Sequence, residues 1–211
     1  MLDPLQLDFL WEALQSGEPP YPLEVPVHGA TEEERAALRQ EVAARPVDPR
    51  VAGWLAVLAG AECSIDSVYH PDGAAAPVRA LAAVRGRAAV LAVQSGPGLA
   101  LRPIEPSSLV WTIVAELPPG QRGSERSVSL PSTEFSGLGV RAGLRGGQIA
   151  ANARSRAGVR RRSPVLGWFD DGTGRYFGQV LKGWMTLAPA DAPALRKRIS
   201  EMMTGVTDGG R

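Results

Sequence analysis

The chain has 211 residues, 44% hydrophobic and 21% charged, with 23 Lys plus Arg against 22 acids and a net charge of +1. A chain of this length buries about 70% of its unfolded surface, so it can build a core without staples. Its balanced charge gives no overall field that would force nucleic acid or membrane as a partner. One cysteine, Cys63, excludes an internal disulfide and a CxxC zinc site, and two histidines, His28 and His70, exclude a multi-histidine metal centre. Neither a metal nor another cofactor is therefore expected. The opening Met1-Leu2-Asp3-Pro4 lacks the basic start of a signal peptide, and no run of about 18 apolar residues occurs anywhere. The expected location is the cytoplasm, with no membrane insertion.

Three helix starts mark the first sixty residues. Asp3-Pro4 places an N-cap acceptor before a proline at the first helical position, with Gln6 three residues past the cap. Leu7, Leu10, Trp11 and Leu14 then fall on one face, and Gly17 with Pro19-Pro20 is the expected stop. A short extended piece, Leu23 to His28, precedes the capping box Thr31-Glu32-Glu33-Glu34. Asp48-Pro49 repeats the first device and starts a third helix with Val51, Trp54, Leu55 and Leu58 inward and Gly60 at its end.

The period then becomes strand-like. Ser64 to Tyr69 alternates, His70-Pro71-Asp72-Gly73 reads as a turn, and Arg79 to Val84, Ala88 to Gln94 and Leu99 to Ile104 form three further strands. Arg85-Gly86-Arg87 and Ser95-Gly96-Pro97-Gly98 supply the hairpin turns. Glu105-Pro106-Ser107 opens a helix lined by Leu109, Val110, Ile113, Val114 and Leu117, and Pro118-Pro119 stops it.

The C-terminal part follows the same plan. Gln148 to Arg156, Pro164 to Phe169, Arg175 to Leu181 and Trp184 to Leu187 are strands, with an Arg-rich link after the first. Asp170 to Gly174 and Lys182-Gly183 are turns, and Pro189-Ala190-Asp191 opens a helix with Leu195, Ile199, Met202 and Met203 inward. The order of strands, turns, cap and helix thus occurs twice, about 80 residues apart. The expected fold is α+β: one pseudo-twofold domain with a central antiparallel β-sheet flanked by helices, its halves near 1–117 and 148–205. Between them, 118–147 is rich in Gly, Pro and Arg, with one short strand at Val128 to Leu130. Gly137 to Gly147 reads as a flexible connection, and Thr207 to Arg211 as a frayed end.

Few groups suggest chemistry. Gly137-Leu-Gly139-Val-Arg-Ala-Gly143 has the wrong spacing for a dinucleotide loop and no βαβ unit around it. Asp170 and Asp171 read as hairpin-turn residues, and Cys63, His28 and His70 as a buried thiol and two surface imidazoles. The one charge asymmetry is Arg141, Arg145, Arg154, Arg156, Arg160, Arg161 and Arg162, with no acid between Glu134 and Asp170. Such a segment suits phosphates or an acidic protein partner, or solvates a linker and sheet edge. Trp184 and Met202-Met203 are candidates for an adaptable contact surface.

Five stretches in order resemble the EspG family, the cytosolic chaperones of actinobacterial type VII (ESX) secretion. They are Asp8-Phe-Leu-Trp-Glu-Ala-Leu14, Pro20-Tyr-Pro-Leu-Glu-Val-Pro-Val-His-Gly29, Ala80-Leu-Ala-Ala-Val-Arg-Gly-Arg87, Leu101-Arg-Pro-Ile104 and Trp184-Met-Thr-Leu-Ala-Pro-Ala-Asp191. The resemblance covers nearly the whole chain. It implies a pseudo-twofold sheet with flanking helical bundles, and a helical PE–PPE protein pair as client, held for the secretion machinery. It also implies contacts from the sheet, from an inter-strand loop corresponding to His70 to Pro77, and from the final helix, Asp191 to Thr204. That loop is short here, and Ser132 to Gly147 is abbreviated relative to larger relatives.

The resulting expectation is a non-catalytic protein-binding chaperone or adaptor for protein transport. Its candidate contact residues are His70, Asp72, Trp184, Met202, Met203, Arg160, Arg161 and Arg162. A nucleic-acid-associated protein using Arg141 to Arg162 is the alternative reading. Oligomeric state is left open.

Overall fold

The computed structural model describes residues 1–72, 76–134, 145–155 and 157–208. Ten strands form one sheet: β1 (Cys63–His70), β2 (Val78–Arg85), β3 (Ala88–Ser95), β4 (Leu99–Pro103), β5 (Val128–Pro131), β6 (Gly146–Arg154), β7 (Arg160–Arg162), β8 (Leu166–Asp171), β9 (Gly174–Leu181) and β10 (Trp184–Pro189). Their order across the sheet is β4-β3-β2-β1-β6-β8-β9-β10-β5, with β7 beside the far half of β6. The ladders are antiparallel, and the central pair β1–β6 runs from Cys63 opposite Ala153 to His70 opposite Gly146. Five α-helices flank it: α1 (Pro4–Ala13), α2 (Glu32–Ala43), α3 (Arg50–Ala59), α4 (Leu109–Glu116) and α5 (Ala192–Asp208). The α+β antiparallel architecture is the one expected.

The helix starts follow the sequence signals closely. The Asp3 side chain accepts the Gln6 N–H at 2.8 Å while Gln6 reaches back to the Asp3 N–H, and Thr31 and Glu34 make the same reciprocal pair on α2. Helix α3 differs: its cap is Pro49, without a side-chain cap bond. The Asp48 carboxylate binds the Arg50 side chain and N–H instead, which lowers its pKa to about 2. Helix α1 stops at Ala13, one turn before Gly17, because Gln15 turns to φ 51° and the Trp11 indole donates to the Gly17 carbonyl at 2.8 Å.

Two cores lie on opposite faces of the sheet. One joins Leu7, Trp11, Leu55 and Leu58 of α1 and α3 to Leu81, Ala83, Val90 and Ala92. The other joins Leu109, Ile113, Leu195, Ile199 and Met202 of α4 and α5 to Ile65, Ala82, Leu91, Ile149, Leu166 and Trp168. Strand alternation sends successive residues to these two sides. Two-residue turns set the hairpins: Gly86 sits at φ 59° between β2 and β3, and Lys182 and Gly183, at φ 49° and 81°, between β9 and β10.

The expected extended piece, Leu23 to His28, forms no strand. Gln94 on β3 holds it with side-chain bonds to the Glu24 N–H and carbonyl at 2.9 and 2.8 Å. Gly146 and Gly147, expected in a flexible connection, open β6, where a Cβ on Gly147 would strike the Val68 carbonyl and Tyr69. The stretch from Gly137 to Gly143 lies outside the described residues. At the C-terminus α5 continues through Thr207 and Asp208 instead of fraying at Thr207.

Candidate interaction surface

Among the described residues two tryptophans stand in solvent, Trp111 on α4 and Trp184 at the start of β10, at 59% and 54% exposure. They lie on the same side of the sheet. Trp184 pairs with Leu181, two residues beyond Gln179, whose Oε1 accepts the Arg198 guanidinium of α5 at 2.7 Å. Alternation therefore directs Leu181 and Trp184 toward the side that carries α4 and α5. Leu181 is itself exposed, and Met203 is half-buried beside the same core. Exposed tryptophans on rigid elements suit the anchors of protein interfaces. Trp111 was missed in the sequence although its signal was there: the inward stripe Leu109, Val110, Ile113, Val114, Leu117 leaves it on the outer face.

The remaining contact candidates do not join this surface. Met202 is 7% exposed and packs into the α4–α5 core, so its expected place on a surface gives way to a core role. His70 ends β1 on the opposite face from buried Tyr69, and Asp72 follows in the connection to β2; both are exposed. Arg160, Arg161 and Arg162 form strand β7 rather than a link. Arg160 and Arg162 share the α1–α3 side with their cross-strand neighbours Arg154 and Asn152, while Arg161 alternates to the other. The eight residues thus divide between the two faces.

The arginine segment is also less uniformly basic than its sequence. Arg162 donates to Asp66, a 1% exposed carboxylate, at 2.6 and 2.9 Å, and Asn152 gives Asp66 a further bond at 2.7 Å. Arg145 donates to Asp170 at 2.6 Å. Arg141 and Arg156 fall outside the described residues. Asp170 corrects the turn reading. Only Asp171 makes the turn, accepting the Thr173 N–H and hydroxyl at 2.7 and 2.8 Å. Asp170 points inward from β8 and receives the 4% exposed Arg175 at 2.7 and 2.9 Å. Arg175 lies over the Trp168 ring and donates to the Pro118 carbonyl, and Arg145 donates to that of Pro119, so one carboxylate fastens the segment after α4 onto the sheet.

Cys63, expected as a buried thiol, is only half-buried, and His28 is tied into the fold. Cys63 starts β1, and burial, with the Glu62 charge second, pushes its thiol pKa up, the wrong direction for a nucleophile. His28 contacts Asp8 of α1 through Nδ1 at 3.1 Å and through its backbone N–H at 2.6 Å, and Arg35 donates to the His28 carbonyl at 2.6 Å. It is thus an anchor between α1 and the loop before α2, not a plain surface imidazole. Among the described residues no cluster of three or more His, Cys, Asp or Glu is placed to hold a metal ion, and no helix is long and apolar enough to cross a membrane.

Taken together, a broad antiparallel sheet with helices on both faces and exposed tryptophans on the α4–α5 side has the form of an α+β binding protein. The EspG family model matches residues 3–201, and the chain belongs to the EspG family. The fold is similar to that of the Mycobacterium tuberculosis type VII secretion system chaperone EspG5, solved in complex with a PE25–PPE41 dimer. The TM-score is 0.68 at 16% identity, over 94% of each chain. No curated protein sequence matches the chain.

Proposed function

We propose that this protein is a non-catalytic cytoplasmic chaperone that binds a helical PE–PPE-like pair and delivers it to a type VII secretion system. The observation that carries the reading is family membership over 3–201 joined to a fold shared, end to end, with a chaperone solved on such a client. The exposed Trp111, Leu181 and Trp184 support it as apolar anchors for a client's helical tip, with the half-buried Met203 beside them. The same reading takes the chain as one domain of related halves, about 1–117 and 148–205, joined by 118–147. The sheet order supports that division: β1 to β4 run outward on one side and β6, β8, β9 and β10 on the other, with β5 of the connection added at the far edge.

Co-expression with PE–PPE-like pairs from the same host, followed by size-exclusion chromatography, tests the function. A stoichiometric complex that survives a high-salt wash is expected. A complex lost completely at moderate salt would contradict an apolar interface.

A further inference from the structure

Behind the sheet, on the side of α1 and α3, lies a cleft of about 720 Å³ that the proposed client surface does not use. Its walls come from the loop after α1 (Pro19, Pro20, Tyr21), the end of α3 (Leu58, Ala59), and β1, β6 and β7. The volume is that of a small-molecule site.

The charges in it are arranged unusually. Arg154 and Arg160 sit directly opposite each other across the β6–β7 ladder. Cβ atoms of such a pair are about 5 Å apart, and like charges in that position repel. Among the described residues neither arginine has an ion pair. Arg162, next on the same face, is held still by Asp66 and lies 5.3 Å from the Tyr21 ring centroid. Ser64 and Asn152 add a hydroxyl and an amide to the lining, and Glu18 and Glu62 add carboxylates.

We propose that this cleft binds a phosphorylated small molecule, of the sugar-phosphate or nucleotide class. Two arginines paired across a ladder and lining one cleft match the paired oxygens of a phosphate, and a bound dianion turns their repulsion into attraction. The carboxylates, amide and hydroxyl suit the donors and acceptors of a hydroxylated body, and the Tyr21–Leu58–proline wall suits its apolar part. A bare basic patch for nucleic acid would instead be open, extended and without acids.

The test is calorimetric titration of the full-length protein with adenosine diphosphate and with pyrophosphate at constant ionic strength. Single-stranded RNA and a poly-glutamate peptide serve as competing probes. Saturable binding of either phosphate probe is expected, weakened at least tenfold in Arg154→Ser and in Arg160→Ser. Unchanged melting temperatures and retained client capture show that these variants are folded. Three outcomes would overturn the proposal: no saturable binding at millimolar probe, binding indifferent to both substitutions, or tighter arginine-dependent binding of RNA or poly-glutamate than of the phosphate probes. Loss of client binding alone would bear on the chaperone reading and leave the cleft standing.

Discussion

On the β1–β4 side of the sheet, β2 and β3 are covered on both faces. Leu81, Ala83, Val90 and Ala92 meet Leu55 and Leu58 of α3, while Ala82 and Leu91 join the α4–α5 core. From β6 onward the α1–α3 face carries Asn152, Arg154 and the Asp66–Arg162 pair, and the far strands are fastened by Asp170 with Arg145 and Arg175. One side is held by apolar area, which is non-directional and roughly additive. The other has apolar cover on its α4–α5 face, where Ile149, Leu166 and Trp168 meet Leu195 and Ile199, and adds buried carboxylates whose loss leaves a charge unpaired. These ion pairs fix β8 and β9 against the segment after α4.

The contrast can be broken at single residues. Asp170→Ala should cost the most, about 4 kcal/mol in urea denaturation, because it strands the buried Arg175 guanidinium. A loss under 1 kcal/mol would show that the fastening is ornamental. On the other side Leu55→Ala, a fully buried side chain in α3, should cost about 3 kcal/mol by opening a cavity. Arg162→Ala should cost about 2 kcal/mol, since Asp66 stays buried with the Asn152 amide as its remaining side-chain donor of 3.0 Å or shorter.

How much of this was readable in advance follows the same division. The capping boxes at Asp3 and Thr31, the α4 stripe and the Gly86 and Lys182-Gly183 turns rest on local rules, and the sequence shows them. Asp170 looked like a turn residue because its partners, Arg145 and Arg175, are chosen by tertiary placement that no spacing reveals. Strand β7 was hidden for a related reason: three arginines carry no apolar alternation, and only the register with β6 and the Asp66 partner make them a strand. The candidate surface was half legible. Trp184 was among the expected contact residues, Trp111 was recoverable from helix phase, and Met202 was indistinguishable from Met203 until α5 was set on the sheet.

The smallest effect concerns pH and reactivity. Burial raises the folded pKa of the Cys63 thiol and the Tyr69 phenol above their ordinary values. Their contribution to stability is complete below the unfolded pKa values and is lost as pH rises through the folded ones. Stability should thus be insensitive to these groups at neutral pH and fall in the alkaline range, as followed by thermal melts from pH 7 to 11. Iodoacetamide should modify Cys63 more slowly in the native chain than in urea, because the thiolate is the reacting species. Equal rates would contradict the burial.

The proposed function puts the client on the α4–α5 side and not on the arginine segment. The direct measurement is the affinity of a PE–PPE-like pair for Trp111→Ala, Trp184→Ala and the Arg160→Ser variant by calorimetry, with folding checked by thermal melts. The expected result is that at least one tryptophan variant loses about 30-fold in affinity, near 2 kcal/mol, with the fold intact and Arg160→Ser unaffected. Full affinity in both tryptophan variants together with loss in Arg160→Ser would contradict it and move the interface to the opposite face of the sheet.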